Sequence, residues 1–186
     1  MRKILLPLAL VVALVMTGSA RAADLRFFED ATLRAVQFVD FKEGWAVGDE
    51  GLVWHTIDGG QSWERQATGT RASLKDVHFL NPFLGWIAGR EELPQGQGSV
   101  GVLLFTRDGG LSWQKILPNA MPGLNRVRFT DARTGFVFGD GSDQFPTGVF
   151  HTKDGGRTWE PIPGPRSSSW FAGSFQIGRA SCRERV

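Results

Sequence analysis

An eight-residue phrase occurs three times in this chain and limits what it can fold into. Residues 56–63 read Thr-Ile-Asp-Gly-Gly-Gln-Ser-Trp, residues 106–113 read Thr-Arg-Asp-Gly-Gly-Leu-Ser-Trp, and residues 152–159 read Thr-Lys-Asp-Gly-Gly-Arg-Thr-Trp. Asp-Gly-Gly between a strand-ending Thr and a strand-opening Trp describes a hairpin corner. The carboxylate accepts backbone N–H bonds across the turn, and the glycines take positive φ without steric cost. The indole then serves as an apolar anchor. On this reading Thr56, Asp58, Gly59, Gly60 and Trp63 are structural residues, as are Thr106, Asp108, Gly109, Gly110 and Trp113, and Thr152, Asp154, Gly155, Gly156 and Trp159. Asp-Gly-Gly supplies too few oxygens for a calcium site.

The corner belongs to a longer repeat. In the first unit, strands are expected at residues 34–39, 44–47, 52–56 and 63–66, separated by turns at 40–43 and 48–51. Val36 and Phe38 have counterparts in Val77 and Phe79, and in Val127 and Phe129. The run Gly44-Trp45-Ala46-Val47-Gly48 matches Gly85-Trp86-Ile87-Ala88-Gly89 and Gly135-Phe136-Val137-Phe138-Gly139. Four short strands per 40 to 50 residues, with no helical periodicity between them, is the signature of a propeller blade. The expected fold is all-β: a β-propeller with three four-stranded blades at about 33–66, 74–116 and 124–162, and the start of a fourth at 168–175. Such a chain is expected to be the N-terminal part of a longer ring, the alternative being closure by self-association, because each blade buries its faces only against neighbours. Residues 90–101 and 140–148 are expected as long loops between second and third strands. Residues 176–186 show none of the pieces that should follow and read as an atypical tail, a truncation or read-through product.

Residues 1–22 are expected to be a signal peptide. Arg2 and Lys3 precede an apolar run over residues 4–16, and Ala20-Arg21-Ala22 is a small-x-small cleavage site. This implies an exported protein, periplasmic or extracellular. The formal charge of +2 is misleading: residues 23–178 hold 15 Lys plus Arg against 18 Asp plus Glu, a charge of −3. A mildly acidic body argues against nucleic acid as a partner. Cys182 is the only cysteine, so no internal disulfide is available.

Period-two alternation places Ala35 and Gln37, Asp76 and His78, and Arg126 and Arg128 on the other side of each unit's first strand. Scaffold positions should repeat with the fold, so a face that varies from unit to unit is a candidate for recognition; the alternative is a solvated face with no task. Gln37, His78, Arg126 and Arg128 are therefore candidate partner-binding residues. Arg126 and Arg128, with Arg133 in the next turn, form a candidate basic patch for an acidic partner surface. His55 and His151 align with Phe105 and read as half-buried strand residues. With three scattered histidines and no His-x-His, neither a metal site nor a cofactor is expected. Glu91 with Glu92, and Asp140 with Asp143, are the only carboxylate pairs worth weighing for hydrolysis, and both sit in surface segments where charge is the default.

The three corners match the Asp-box, or BNR, repeat of sialidases, other glycoside hydrolases and sortilin-type receptors. The longer run Leu33-x-x-Val36-x-Phe38-x-Asp40-x-x-x-Gly44-Trp45-Ala46-Val47-Gly48, followed by His55-Thr56 and the box, resembles the photosystem II stability and assembly-factor family over about residues 33–175. That resemblance implies a seven-bladed propeller, present here in its N-terminal part. It also implies a non-enzymatic role as a chaperone-like binder of a membrane-protein assembly intermediate, lumenal where the host is photosynthetic. The alternative is a fragment of a sialidase-like hydrolase with a carbohydrate partner. Sialidases use a Tyr nucleophile, and this chain contains no Tyr.

Overall fold

Gly44, Gly85 and Gly135 open the second strand of three successive sheets, and each lies under the ring of a phenylalanine. A Cβ on them would come within 2.7 Å of Phe38, 2.5 Å of Phe79 and 2.6 Å of Phe129. That close approach sets the register of each sheet's first hairpin. The computed structural model describes residues 31–116 and 121–166, together with the backbone of 170–176 and 179–184. The expected signal peptide lies outside the described residues.

The first sheet runs β1 (Leu33–Phe38), β2 (Gly44–Gly48), β3 (Val53–Thr56) and β4 (Glu64–Gln66). The second comprises β5 (Ser73–Phe79), β6 (Gly85–Glu92), β7 (Ser99–Thr106) and β8 (Gln114–Lys115). The third comprises β9 (Leu124–Phe129), β10 (Gly135–Gly139), β11 (Val149–Thr152) and β12 (Glu160–Pro161). Each is an antiparallel meander whose spatial order follows the chain. A further hairpin pairs β13 (Trp170–Gln176) with β14 (Arg179–Glu184). Propeller blades, open as an arc, account for this arrangement.

Two expectations change. The tail is not patternless, since Arg179–Glu184 pairs along β13. Half of the segment 90–101 is strand: β6 and β7 stay in register out to Glu92↔Ser99, which leaves only residues 93–98 as the connection where a loop over the whole segment was expected. Glycine- and glutamine-rich composition suggested a loop, but two long strands can continue to pair past the edge of a blade.

Neighbouring sheets approach through their first two strands, with β1 touching β5 and β5 touching β9. Two apolar clusters fill the gaps. Between the first and second sheets lie Trp45, Val47, Val53, Leu74, Val77, Phe79, Ile87, Val102 and Leu104. Between the second and third lie Trp86, Ala88, Leu103, Leu124, Val127, Phe129, Val137 and Phe150. Alternate residues of β6 and β7 enter opposite clusters, so both faces of the second sheet are buried and Val102–Leu104 is apolar throughout. The first sheet differs. Val36 and Phe38, whose counterparts are buried, are 60% and 41% exposed, because no described residues cover that face as the first sheet covers the second.

Candidate partner-binding face

Every first strand carries a bulge at the same place. Pairing jumps from Leu33 to Ala35 against β2, and from Leu74 to Asp76 against β6. The β9–β10 pair shows the same slip, with Leu124 opposite Gly139 and Arg126 opposite Phe138. The extra residues are Arg34, Lys75 and Asn125, and a bulge re-aims the side chain it carries. Opposite each bulge sits a glycine whose Cβ would strike a backbone carbonyl: Gly48 against Thr32 at 2.4 Å, Gly89 against Ser73 at 2.6 Å, and Gly139 against Gly123 at 2.3 Å.

The bulge residues gather with Arg90, Glu92, Arg126 and Asp140 around a depression of about 460 Å³. A second depression of about 320 Å³ shares Arg34 and Arg126 with the first and continues along the first strands past Gln37, Asp76, His78 and Arg128. All four candidate partner-binding residues from the sequence therefore fall on one surface, together with three that alternation did not find: Arg34, Lys75 and Arg90. The signal for the bulge was present. Leu33 and Val36 are three residues apart where a regular strand needs two, and the same spacing recurs at Leu74/Val77 and Leu124/Val127.

These residues also join the sheets. Gln37 accepts the Phe79 N–H through Oε1 at 2.7 Å and donates to the Phe79 carbonyl through Nε2 at 3.0 Å. In the next sheet His78 sits 2.9 Å from the Phe129 carbonyl. Burial is the main cause that pushes the His78 imidazole below its ordinary value. Asp76 is buried, accepts the Val127 N–H at 2.9 Å, and pairs with Arg126 at 3.1 Å and Arg128 at 2.7 Å. The variable face is thus part clamp and part open surface. Arg133 does not join Arg126 and Arg128. It lies at the other end of the strands, beside the box corner, where its carbonyl accepts the Gly155 N–H.

Around the first depression the charges are partly neutralised. Asp49 pairs with Arg34 at 2.7 Å and also accepts from Ser73. Asp140 takes two bonds from Arg90 at 2.9 and 3.0 Å, and Arg90 also donates to Asn125. Lys75 lies among Arg34 and Arg90, and its ammonium is pulled below the ordinary lysine value, first by burial and then by Arg34.

At the corners, Asp58 Oδ1 accepts the Thr56 hydroxyl at 2.8 Å and the Ser62 N–H at 2.9 Å, while Oδ2 accepts the Ser62 hydroxyl at 2.5 Å. Asp108 repeats the set with Thr106 and Ser112, and Asp154 with Thr152 and Thr158. These bonds, led by the Ser62 and Ser112 hydroxyls, hold Asp58 and Asp108 down to about 2. The Thr158 hydroxyl likewise holds Asp154 well below the usual aspartate value. The paired glycines have φ between 73° and 93°. Trp63 and Trp159 donate their indole N–H groups to the Gly60 and Gly156 carbonyls at 3.1 Å.

Three of the four carboxylates weighed for hydrolysis are engaged by other side chains, Asp140 by Arg90 among them. Glu91 lies 3.5 Å from Lys115 and accepts from Thr70, and Asp143 pairs with Arg166 at 3.0 Å. Among the described residues, no group of three or more His, Cys, Asp or Glu is placed to hold a metal ion. Nor, among those residues, is any helix long and apolar enough to cross a membrane.

A family model described as photosynthesis system II assembly factor YCF48 matches residues 19–127. A solved structure of YCF48 bound to D1 peptide superposes with a TM-score of 0.61 at 25% identity, over 77% of this chain and 44% of that one. YCF48 from Cyanidioschyzon merolae superposes with a TM-score of 0.55 at 24% identity, over 74% of this chain and 38% of that one. The chain thus spans less than half the length of either structure. No curated protein matches it.

Proposed function

Because the chain belongs to the YCF48 family of photosystem II assembly factors, we propose that it is an exported, non-enzymatic propeller segment that binds a protein partner along its first-strand face. The observation that carries this reading is the continuity of that face. Bulged Arg34 and Lys75, together with Arg90, Arg126 and Arg128, line two adjoining depressions across three sheets. A surface shared by successive blades suits an extended acidic or carboxylate-bearing segment, which crosses several blades at once. The structure of YCF48 with a D1 peptide supports a peptide partner, and the partner proposed here is a membrane-protein assembly intermediate presenting such a segment. Residues 1–22 act as the export signal and place the protein in the periplasm or, in a photosynthetic host, the lumen.

The test is fluorescence anisotropy of a labelled D1 peptide titrated with the full chain. Binding is expected, and it should weaken about tenfold when Lys75 and Arg128 are changed to Ala, the size of effect that loss of charge-assisted contacts produces. Melting of the variant verifies that the fold persists. An unchanged affinity, or no binding by the wild-type chain, overturns the reading.

A further inference from the structure

The two junctions between described sheets differ at their corner end. At the first, Gln66 reaches across to the second sheet and donates to the Gly109 carbonyl at 2.8 Å, and Trp45 donates to the same carbonyl at 3.1 Å. At the second, Ile116 occupies the position of Gln66 and makes no such bond. The Trp86 indole N–H, counterpart of that of Trp45, is buried and has no hydrogen-bond partner among the described residues. A groove of about 690 Å³ opens there, with Leu84, Phe105 and Ile116 supplying apolar lining.

Three exposed arginines edge this groove: Arg107 from the second sheet's corner, Arg133 from the turn after β9, and Arg157 from the third sheet's corner. Their repeat counterparts at the first junction are Ile57, Phe83 and Leu111. Three changes to Arg at matched positions distinguish this groove from its neighbour. Among the described residues none of the three guanidinium groups forms an ion pair; Arg107 lies 5.2 Å over the Phe105 ring. Asp108 and Asp154 also line the groove, but both oxygens of each are occupied by their own corner's hydroxyl and backbone donors. The three arginines therefore keep their donors for a ligand.

We propose that this groove is a second binding site, separate from the first-strand face and independent of its assignment, and that it takes an acidic protein segment carrying an apolar side chain. The apolar residue seats against Leu84, Phe105 and Ile116, and flanking carboxylates meet the arginines. A concave, apolar-floored groove suits a peptide better than a bilayer surface, which cannot enter it.

A labelled peptide alternating glutamate with leucine, titrated into the full chain by anisotropy, tests this. Salt-sensitive binding is expected, with the Kd raised about tenfold in the R107E/R133E variant. Because both side chains are exposed, its melting temperature should match the wild type; Arg157→Ala provides a milder second variant should it not. The Lys75→Ala change should leave this affinity as it is, which separates failure of this site from failure of the first-strand face. Absence of peptide binding, or binding indifferent to both corner variants, overturns the proposal. So does co-sedimentation with phosphatidylserine vesicles that the peptide fails to displace.

Discussion

Trp45 of the first sheet lies flat on Phe79 of the second, with ring centroids 3.6 Å apart and planes 11° from parallel. Trp86 and Phe129 repeat the stack at the next junction, at 3.7 Å and 8°. Each phenylalanine ring is held on its other side by the glycine beneath it, Gly85 under Phe79 and Gly135 under Phe129, so the aromatic pair and that glycine form one device for joining blades. Truncating Trp45 or Trp86 to Ala should cost about 3–5 kcal/mol in chemical denaturation, the range for large buried aromatics. Phe38, which has no such stacked partner among the described residues and is partly exposed, should cost only about 1 kcal/mol when truncated, because less apolar area is at stake.

Gly85→Ala tests the same device from below. The new methyl would sit 2.5 Å from the Phe79 ring, and Trp45 prevents that ring from lifting. A loss of about 1–3 kcal/mol is expected from overpacking, read as a lower denaturation midpoint with an unchanged slope.

Asp76 is the charged member of the second junction. Asp76→Ala removes the acceptor of the Val127 N–H and the carboxylate that pairs with Arg126 and Arg128. Both arginines keep about a third of their side-chain surface in water, which tempers the effect. A loss of about 2–3 kcal/mol is expected, with hydrogen exchange accelerated in β9 more than in β1.

The corners set an acid limit. Asp58 and Asp108 titrate at about 2 in the fold, against about 3.9 for an unfolded aspartate. A depressed carboxylate contributes stability that is complete above the unfolded value and fades as pH falls through the folded one. The corner contribution should therefore be constant above about pH 4 and decline toward about pH 2. Carboxyl carbon shifts in NMR titrations of the three aspartates should report midpoints well below that of a free aspartate.

Most of the fold was legible because its parts repeat. The corner phrase, the Gly-Trp run and the Val-x-Phe spacing each have a steric reason, and three copies make the register unambiguous. The bulge is legible in principle from Leu33-x-x-Val36, but strict alternation passes over an inserted residue, so it places Gln37, His78, Arg126 and Arg128 on the first-strand face and leaves out Arg34 and Lys75, which line the same depressions. The clamps of Gln37 and Asp76 could not be read from sequence, since they depend on which strand lies alongside. Arg133 was grouped with Arg126 and Arg128 by closeness in sequence, and the turn after β9 carries it to the opposite end of the strands.

Hydrogen–deuterium exchange of the full chain with and without the D1 peptide tests the central claim most directly. The account predicts slowed exchange over residues 33–38, 73–79 and 124–129, with the corners at 56–63, 106–113 and 152–159 unchanged. Protection confined to the corners, or none in any first strand at saturating peptide, would contradict it.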